Sequence, residues 1–214
     1  MTCFFLDMGV IVGYASYIDN SPTTDLYAKP SVEFVKKFEK DEFITCHHIV
    51  DNDLPKFQKR RRILREEVRK KLRDPKYKID STELYPRDVE RAEEICKLKD
   101  RLPGGEAEVF QLISEMDANF DARIRFFLDN KITKVVIPLS DIDAELRSHF
   151  FTFVRNWSDS NIIASAVQYN TGSTINVVTT DKKDFWKLKE WLDTDLHLSE
   201  KYSVPPISYI KDLV

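Results

Sequence analysis

Four short apolar runs, separated by long stretches with helical patterning, constrain the fold of this chain most strongly. They are residues 2–6, 42–46, 135–137 and 175–179. Short apolar runs of this kind are typical of strands that are buried on both faces of a sheet. Strands that alternate with helices favour a parallel sheet. The sequence therefore predicts a three-layer α/β/α fold, with helices on both faces of a central parallel sheet.

The region between the second and third predicted strands is long enough to hold several helices. From residue 56 to about residue 130 its patterning is helical, with breaks at Asp74-Pro75 and at Leu102-Pro103-Gly104-Gly105. Proline and glycine at such points end helices. We therefore expect a single-domain chain that carries a helical insertion at about residues 56–130.

Composition and charge exclude several classes of protein. The chain has 214 residues, of which 33 are Lys or Arg and 36 are Asp or Glu, and its net charge of −3 excludes a generally basic nucleic-acid coat. It lacks the run of about 18 apolar residues that a membrane span needs. The N-terminal segment lacks the basic head of a secretion signal, and three widely spaced cysteines fit reduced thiols. We expect a cytoplasmic protein without a membrane partner.

Four aspartates lie close to the predicted carboxyl ends of strands or to the starts of the adjoining helices. Asp7 follows the first strand directly, and Asp181 lies two residues past the fourth strand. Asp53 begins a helix just after the second strand, and Asp159 lies at the start of the helix that leads into the fourth. Because ligands bind beyond the carboxyl ends of parallel strands, we expect the four carboxylates to meet at that edge.

A cluster of four carboxylates has a physical consequence. Like charges packed closely repel each other and raise their pKa values unless a cation lies among them. Carboxylate oxygens are ligands that suit Mg²⁺ or Mn²⁺, and such ions activate water for phosphodiester hydrolysis. One aspartate after a strand or at a helix start is more often a cap. Four of them at one edge predict a metal site.

Three segments, CFFLDMGVIVG, DSNIIASA and VVTTDKKDF in that order, resemble the PIN-domain family. That family comprises metal-dependent ribonucleases and includes the toxins of VapC-type toxin–antitoxin pairs. The resemblance is most specific from residue 134 to residue 185, and this chain is longer than a minimal toxin. It implies a PIN-like fold, RNA as the substrate, and Mg²⁺ or Mn²⁺ as the cofactor. The residues implied to be catalytic and to hold the metal are Asp7, Asp53, Asp159 and Asp181.

The resemblance also implies supporting residues, rival acids and partners. Thr179, Thr180 and Asp184 are expected to support the metal ligands from the turn after the fourth strand. Asp51 is a rival to Asp53, and Glu106 competes for the role of the third acid because some relatives carry Gly-Glu-Ala there. The implied partners are an antitoxin-like protein and a second copy of the chain, which would form a homodimer.

The chain departs from the family pattern next to the first acid. Met8-Gly9 stands where relatives usually carry Thr-Asn, and Asp53 replaces a glutamate. These departures leave open an alternative function, a catalytically inactive PIN-fold protein that binds RNA or acts as a scaffold. The first strand also resembles that of haloacid-dehalogenase-type phosphatases. Those enzymes need a second aspartate where this chain has Gly9, so we set them aside.

The predicted helix at 56–73 is strongly basic, with ten Lys or Arg and two glutamates. Cations beside a metal centre would hold a phosphate backbone without reading sequence. The residues expected to bind nucleic acid are Lys56, Lys59, Arg60, Arg61, Arg62 and Arg65. The alternatives are a solvated surface helix and a face that docks on an acidic partner. Tyr77 and Tyr85 could stack single-stranded bases, and His48 is expected to be structural or to contact substrate.

Overall fold

The structure of the chain is a computed structural model that describes residues 1–17, 26–80 and 82–214. It divides into two compact units. Unit 1 comprises Met1–Leu54 and Arg123–Val214, and unit 2 comprises Pro55–Ala122. The insertion expected at 56–130 corresponds to unit 2, except that residues 123–130 belong to unit 1.

Unit 1 is built on one parallel sheet, which in the described residues has five strands in the order β3-β2-β1-β4-β5. The strands are β1 (Cys3–Leu6), β2 (Glu42–Cys46), β3 (Ile132–Val136), β4 (Asn176–Thr179) and β5 (Ile207–Tyr209). The predicted α/β fold with a central parallel sheet is confirmed. Because β1 is central, with Phe5 opposite Ile44 and Leu6 opposite Val178, the strands that precede three of the predicted acids are neighbours.

The helices of the described residues follow the expected alternation with the strands. In chain order they are α1 (Met8–Ser16), α2 (Ala28–Lys37), α3 (Leu54–Arg73), α4 (Pro86–Lys97), α5 (Gly105–Asn130), α6 (Ala144–Val154), α7 (Trp157–Gly172), α8 (Lys182–Phe185), α9 (Leu188–Leu192) and α10 (Leu196–Lys201). A single π-helical turn, Ile49–Asp53, leads into α3. None of the described helices is both long and apolar enough to cross a membrane.

The sequence pattern predicts helices that begin at Ser31 and at Ser140 and a strand that ends at Ile137, and all three boundaries differ in the structure. Ser31 lies inside α2 rather than at its start, because its backbone amide already donates to the carbonyl of Tyr27. The cap of α6 is Asp143, whose carboxylate accepts from two backbone amides of the first turn. The third strand ends at Val136, since Ile137 adopts a left-handed conformation with φ of 50° just before Pro138.

Unit 2 has its own apolar core, to which three helices contribute equally. Each of α3, α4 and α5 supplies two buried residues spaced four apart, which places them on one helix face. These residues are Val68, Leu72, Ala92, Cys96, Val109 and Ile113. The sequence predicted this unit to be helical, and its described residues contain no strand.

Candidate metal and nuclease site

The central feature of the site is the carboxylate of Asp7 at the end of β1. Asp7 is 8% exposed and caps α1, where its Oδ1 accepts from the backbone amide of Met8 at 2.6 Å. Its Oδ2 accepts from the hydroxyl of Thr179 at 2.9 Å. Thr179 is the last residue of β4, so the pairing of β1 with β4 creates this contact. Thr179 thus fixes the orientation of one oxygen of the Asp7 carboxylate.

Burial, together with a smaller contribution from the nearby negative charge of Asp181, raises the pKa of Asp7 to about 6. The hydrogen bonds from Thr179 and from the backbone amides of Met8 and Gly9 act in the opposite direction but do not cancel the effect of burial. A carboxylate with this pKa is half protonated near pH 6. It gains stability from a cation, because a cation restores the charged form.

Asp181 approaches Asp7 through Thr179. The backbone amide of Asp181 donates to the Thr179 hydroxyl at 2.9 Å, so that hydroxyl joins the two acidic positions. The carboxylate of Asp181 is exposed and accepts from the amide of Lys183 at 2.7 Å, in the first turn of α8. Asp7 and Asp181 are therefore electrostatically coupled, and the hydroxyl of Thr179 is hydrogen-bonded to both residues.

Asp53 is held by two residues that sequence reasoning did not connect to it. Its Oδ1 lies 3.4 Å from Nε2 of the buried His48, and its other oxygen accepts from the hydroxyl of Ser158. The same Nε2 lies 3.2 Å from the Ser158 hydroxyl. A Ser-His-Asp relay would use both ring nitrogens. Here Nδ1 of His48 is buried and has no hydrogen-bond partner among the described residues, so a nucleophilic serine is not supported.

Asp159 lies in the first turn of α7, directly after Ser158. Its carboxylate accepts from the side-chain amide of Asn156, which also caps the helix by accepting from the amide of Ser158 at 2.9 Å. The start of α7 thus carries both Asp159 and the hydroxyl that holds Asp53. This arrangement gives Asp159 the structural role of orienting Asn156, the residue that caps the helix.

The four predicted acids are brought together as two groups. Thr179 joins Asp7 to Asp181, and the start of α7 joins Asp53 to the neighbourhood of Asp159. Across the described ranges, no three or more His, Cys, Asp or Glu side chains are grouped so that they could hold a metal ion. The oxygen donors at Asp7 and Asp181 fit a hard cation such as Mg²⁺ or Mn²⁺. Protein donors engage at least one oxygen of each of the four carboxylates.

Comparison with protein-family models, with curated proteins and with solved structures finds no match to this chain in any of the three. Function is therefore inferred from the residues and their geometry. The surroundings of Asp7 are the most informative, because they combine burial, an adjacent acid and a raised pKa at the carboxyl end of the central strand.

The rival acids lie in other surroundings. Asp51 is half exposed, and its carboxylate is 2.9 Å from Nδ1 of His47, one turn earlier. Glu106 is exposed in the first turn of α5 in unit 2, where the helix dipole favours negative charge. The backbone of Asp184 lies in α8, and its side chain lies outside the described part of the structure.

The Met8-Gly9 departure has a structural explanation. A Cβ atom on Gly9 would lie 1.9 Å from Oγ1 of Thr180 and 3.0 Å from its Cβ. Gly9 therefore lets the turn after β4 lie directly against the first turn of α1. The backbone amides at both positions also support the charge of Asp7, although neither side chain is polar.

We expect Gly9→Ala to lower the free energy of unfolding by about 1–3 kcal/mol, because the added methyl group overlaps Thr180. The matched control is Gly172→Ala at the end of α7, where a Cβ atom would meet nothing within 4 Å. That substitution should be neutral or slightly stabilising. Urea denaturation of both variants checks the prediction, and equal stabilities would contradict it.

The six predicted nucleic-acid-binding residues lie in unit 2, and most have partners within that unit. Lys59 pairs with Glu83 at 2.9 Å, and Arg60 pairs with Asp88 at 3.2 Å. The remaining contacts are Arg61 over the Phe120 ring, Arg62 with Asp121, and Arg65 with Glu66. Lys56 is exposed. Internal pairing lowers the charge that most of this helix offers to a phosphate backbone.

Proposed function

We propose that this protein is a PIN-type, metal-dependent nuclease that hydrolyses phosphodiester bonds in RNA. The observation that carries the proposal is the buried carboxylate of Asp7, bonded to Thr179 and electrostatically coupled to Asp181. Burial keeps the pKa of this carboxylate raised, although both of its oxygens accept hydrogen bonds. A divalent cation would satisfy that carboxylate.

Asp7 and Asp181 would hold Mg²⁺ or Mn²⁺. The bound ion would supply an activated water and would stabilise the leaving oxygen. The amide of Met8 and the hydroxyl of Thr179 fix the orientation of the Asp7 carboxylate in advance. Ser158 and His48 fix the carboxylate of Asp53, and Asn156 fixes the carboxylate of Asp159. Both acids belong to unit 1, the first in the turn before α3 and the second in the first turn of α7.

The RNA preference, the PIN-like character of the fold and the partners are carried by the sequence resemblance. We extend the proposal to a cytoplasmic protein that forms a homodimer and is inhibited by an antitoxin-like partner. The cations of unit 2 support nucleic acid as the substrate. Lys56 and Lys59 are the best candidates for contacts with nucleic acid, because their side chains are exposed and long enough to reach phosphates.

One specific observation favours the alternative, a PIN-fold RNA-binding or scaffold protein without nuclease activity. Asp53 and Asp159 each accept from protein donors, and no group of three metal-binding side chains occurs in the described residues. The two functions differ in whether an ion binds at Asp7.

Calorimetric titration with Mn²⁺ tests the proposal, with and without a short RNA oligonucleotide. The native chain should bind Mn²⁺ saturably, and the Asp7→Asn, Asp181→Asn double variant should not. Asp51→Asn is the matched control, because Asp51 is an acid of the same unit that pairs with His47 instead. The absence of binding by the native chain, with RNA also present, would sink the nuclease proposal and favour the alternative.

A further inference from the structure

Unit 2 contains an open groove that the acid-centred proposal does not use. It lies between the first turns of α3 and the segment 82–85 before α4, and its volume is about 320 Å³. We call it the α3 groove; its lining includes Lys56, Lys59, Arg60, Thr82, Leu84 and Tyr85. This volume is at the lower end of the range of small-ligand sites, about 300–1,000 Å³.

The charge of the α3 groove suits one phosphate group. Three cations line it against a single acid, Glu83, which is already paired with Lys59 at 2.9 Å. Arg60 is paired with Asp88 at 3.2 Å, outside the groove lining. Lys56 is exposed on the same helix, one turn before Arg60. The groove therefore keeps a positive balance that is available to a ligand.

Tyr85 supplies a fixed aromatic surface in the same groove. Tyr85 as a whole residue is 62% exposed, which is high for an aromatic residue. Its backbone is held at the start of α4, where the amide of Tyr85 donates to Asp88 at 3.1 Å and its carbonyl accepts from the Asp88 amide at 2.8 Å. The guanidinium of Arg60 lies 4.4 Å from the ring centroid. Asp88 thus positions both the ring and the cation beside it.

The floor and rim of the α3 groove complete a site for a base. Leu84 is buried and gives an apolar floor, and Thr82 is exposed, with a hydroxyl that donates to Asp80 and can accept from a ligand. Aromatic rings beside cations bind unpaired bases by stacking, whatever the base. A base inside a duplex already has stacking partners on both faces and cannot use such a ring.

We infer that the α3 groove binds one nucleotide of single-stranded RNA, with the base stacked on Tyr85 and the phosphate held by Lys56 and Lys59. This inference rests on the proposed function only for the choice of RNA as the ligand. Tyr77, the other tyrosine that the sequence offered for stacking, is engaged elsewhere, because its hydroxyl donates to Glu67 at 2.8 Å.

Fluorescence anisotropy with labelled RNA in the presence of EDTA tests the inference, because binding is then measured without cleavage. Tyr85→Ala should weaken binding of a single-stranded 10-nucleotide RNA about tenfold or more, and Tyr85→Phe should stay within about twofold of the native chain. Lys56→Ala combined with Lys59→Ala should weaken binding and reduce its salt dependence. Lys97→Ala, an exposed lysine of α4, is the matched control and should bind like the native chain.

Two results would overturn the inference. One is unchanged binding of single-stranded RNA by Tyr85→Ala, and the other is binding of an acidic peptide at the groove with no binding of RNA. If the chain cleaves RNA with a metal but Tyr85→Ala does not change RNA binding, the nuclease proposal stands and the groove proposal fails. If RNA binding depends on Tyr85 but no metal supports cleavage, the groove proposal stands and the nuclease proposal fails.

Discussion

Asp7→Asn should reduce metal-dependent RNA cleavage at least about a hundredfold while leaving the fold intact. Asparagine caps helices as well as aspartate does, and its side-chain oxygen can keep one of the two hydrogen bonds that hold Asp7. It loses the negative charge that would hold the ion. Cleavage of a labelled single-stranded RNA in saturating Mn²⁺ measures the effect. Asp51→Asn should cleave like the native chain, and equal loss in both variants would contradict the assignment of Asp7.

The pKa of Asp7 gives this variant a second signature. Burial raises that pKa from its ordinary 3.8 to about 6, so the folded metal-free chain disfavours the charged form. Stability is therefore lost as pH rises from about 4 to about 6, and one pKa unit corresponds to about 1.4 kcal/mol. Metal-free Asp7→Asn should be about 3 kcal/mol more stable than the native chain at pH 7.5 and similar to it at pH 4. Urea denaturation at both pH values checks this.

Binding of the ion should follow the same titration. Because Mn²⁺ must displace the proton from Asp7, its affinity should rise steeply as pH increases towards 6 and level off above that value. If the affinity of the native chain for Mn²⁺ does not change between pH 5 and pH 7, Asp7 is not the ligand. Asp7→Asn has no such proton to release and provides the baseline.

The strands of the sheet could be predicted because each is a short apolar run that is visible in the sequence. Their order could not be predicted, because it depends on pairing between segments that are far apart in the chain. The run at Glu42–Cys46 was predicted to the residue, since buried parallel strands are short and apolar. Helix α1 was not predicted. Its residues are apolar on nearly every side and follow β1 without a polar break, so they show no helical periodicity. This helix matters for the site, because Asp7 is its N-cap and is buried at that position.

The partners of the predicted site residues also lay beyond sequence reasoning. The bond between Ser158 and Asp53 joins positions 105 residues apart, and no spacing rule connects them. The basic helix shows the same limit, because its cations can be counted along the chain but several of their partners come from later helices. Arg60 with Asp88 and Arg61 over Phe120 became visible only in the folded unit. Charge in a sequence therefore overstates charge on a surface.

The second large effect is expected in unit 2, at Glu67. This glutamate is 3% exposed, and its carboxylate accepts three hydrogen bonds. The donors are Lys70 Nζ at 2.7 Å, the Tyr77 hydroxyl at 2.8 Å and the backbone amide of Asp80 at 2.7 Å. Glu67→Gln turns one acceptor oxygen into a donor, which then faces another donor. We expect the free energy of unfolding of unit 2 to fall by about 2–4 kcal/mol.

Glu66→Gln is the control for this variant, since it changes the neighbouring glutamate of the same helix. Glu66 is exposed and pairs with Arg69 at 3.0 Å, so its loss should cost no more than about 1 kcal/mol. All three tryptophans lie in unit 1, and tryptophan fluorescence would not report on unit 2. Hydrogen exchange of the backbone amides at 55–122, measured by mass spectrometry, is therefore the appropriate readout.

The dependence on pH separates loss of charge from loss of packing at Glu67. Its hydrogen bonds to Lys70, Asp80 and Tyr77 lower the pKa of Glu67 below its ordinary 4.5, despite the opposing effect of burial. The charged form then contributes stability above pH 4.5, and this contribution is lost as pH falls through the lowered pKa. The difference in the free energy of unfolding between the native chain and Glu67→Gln should therefore become smaller at acidic pH. A gap that stays constant down to pH 3 would mean that shape, not charge, holds the segment 74–80 against α3.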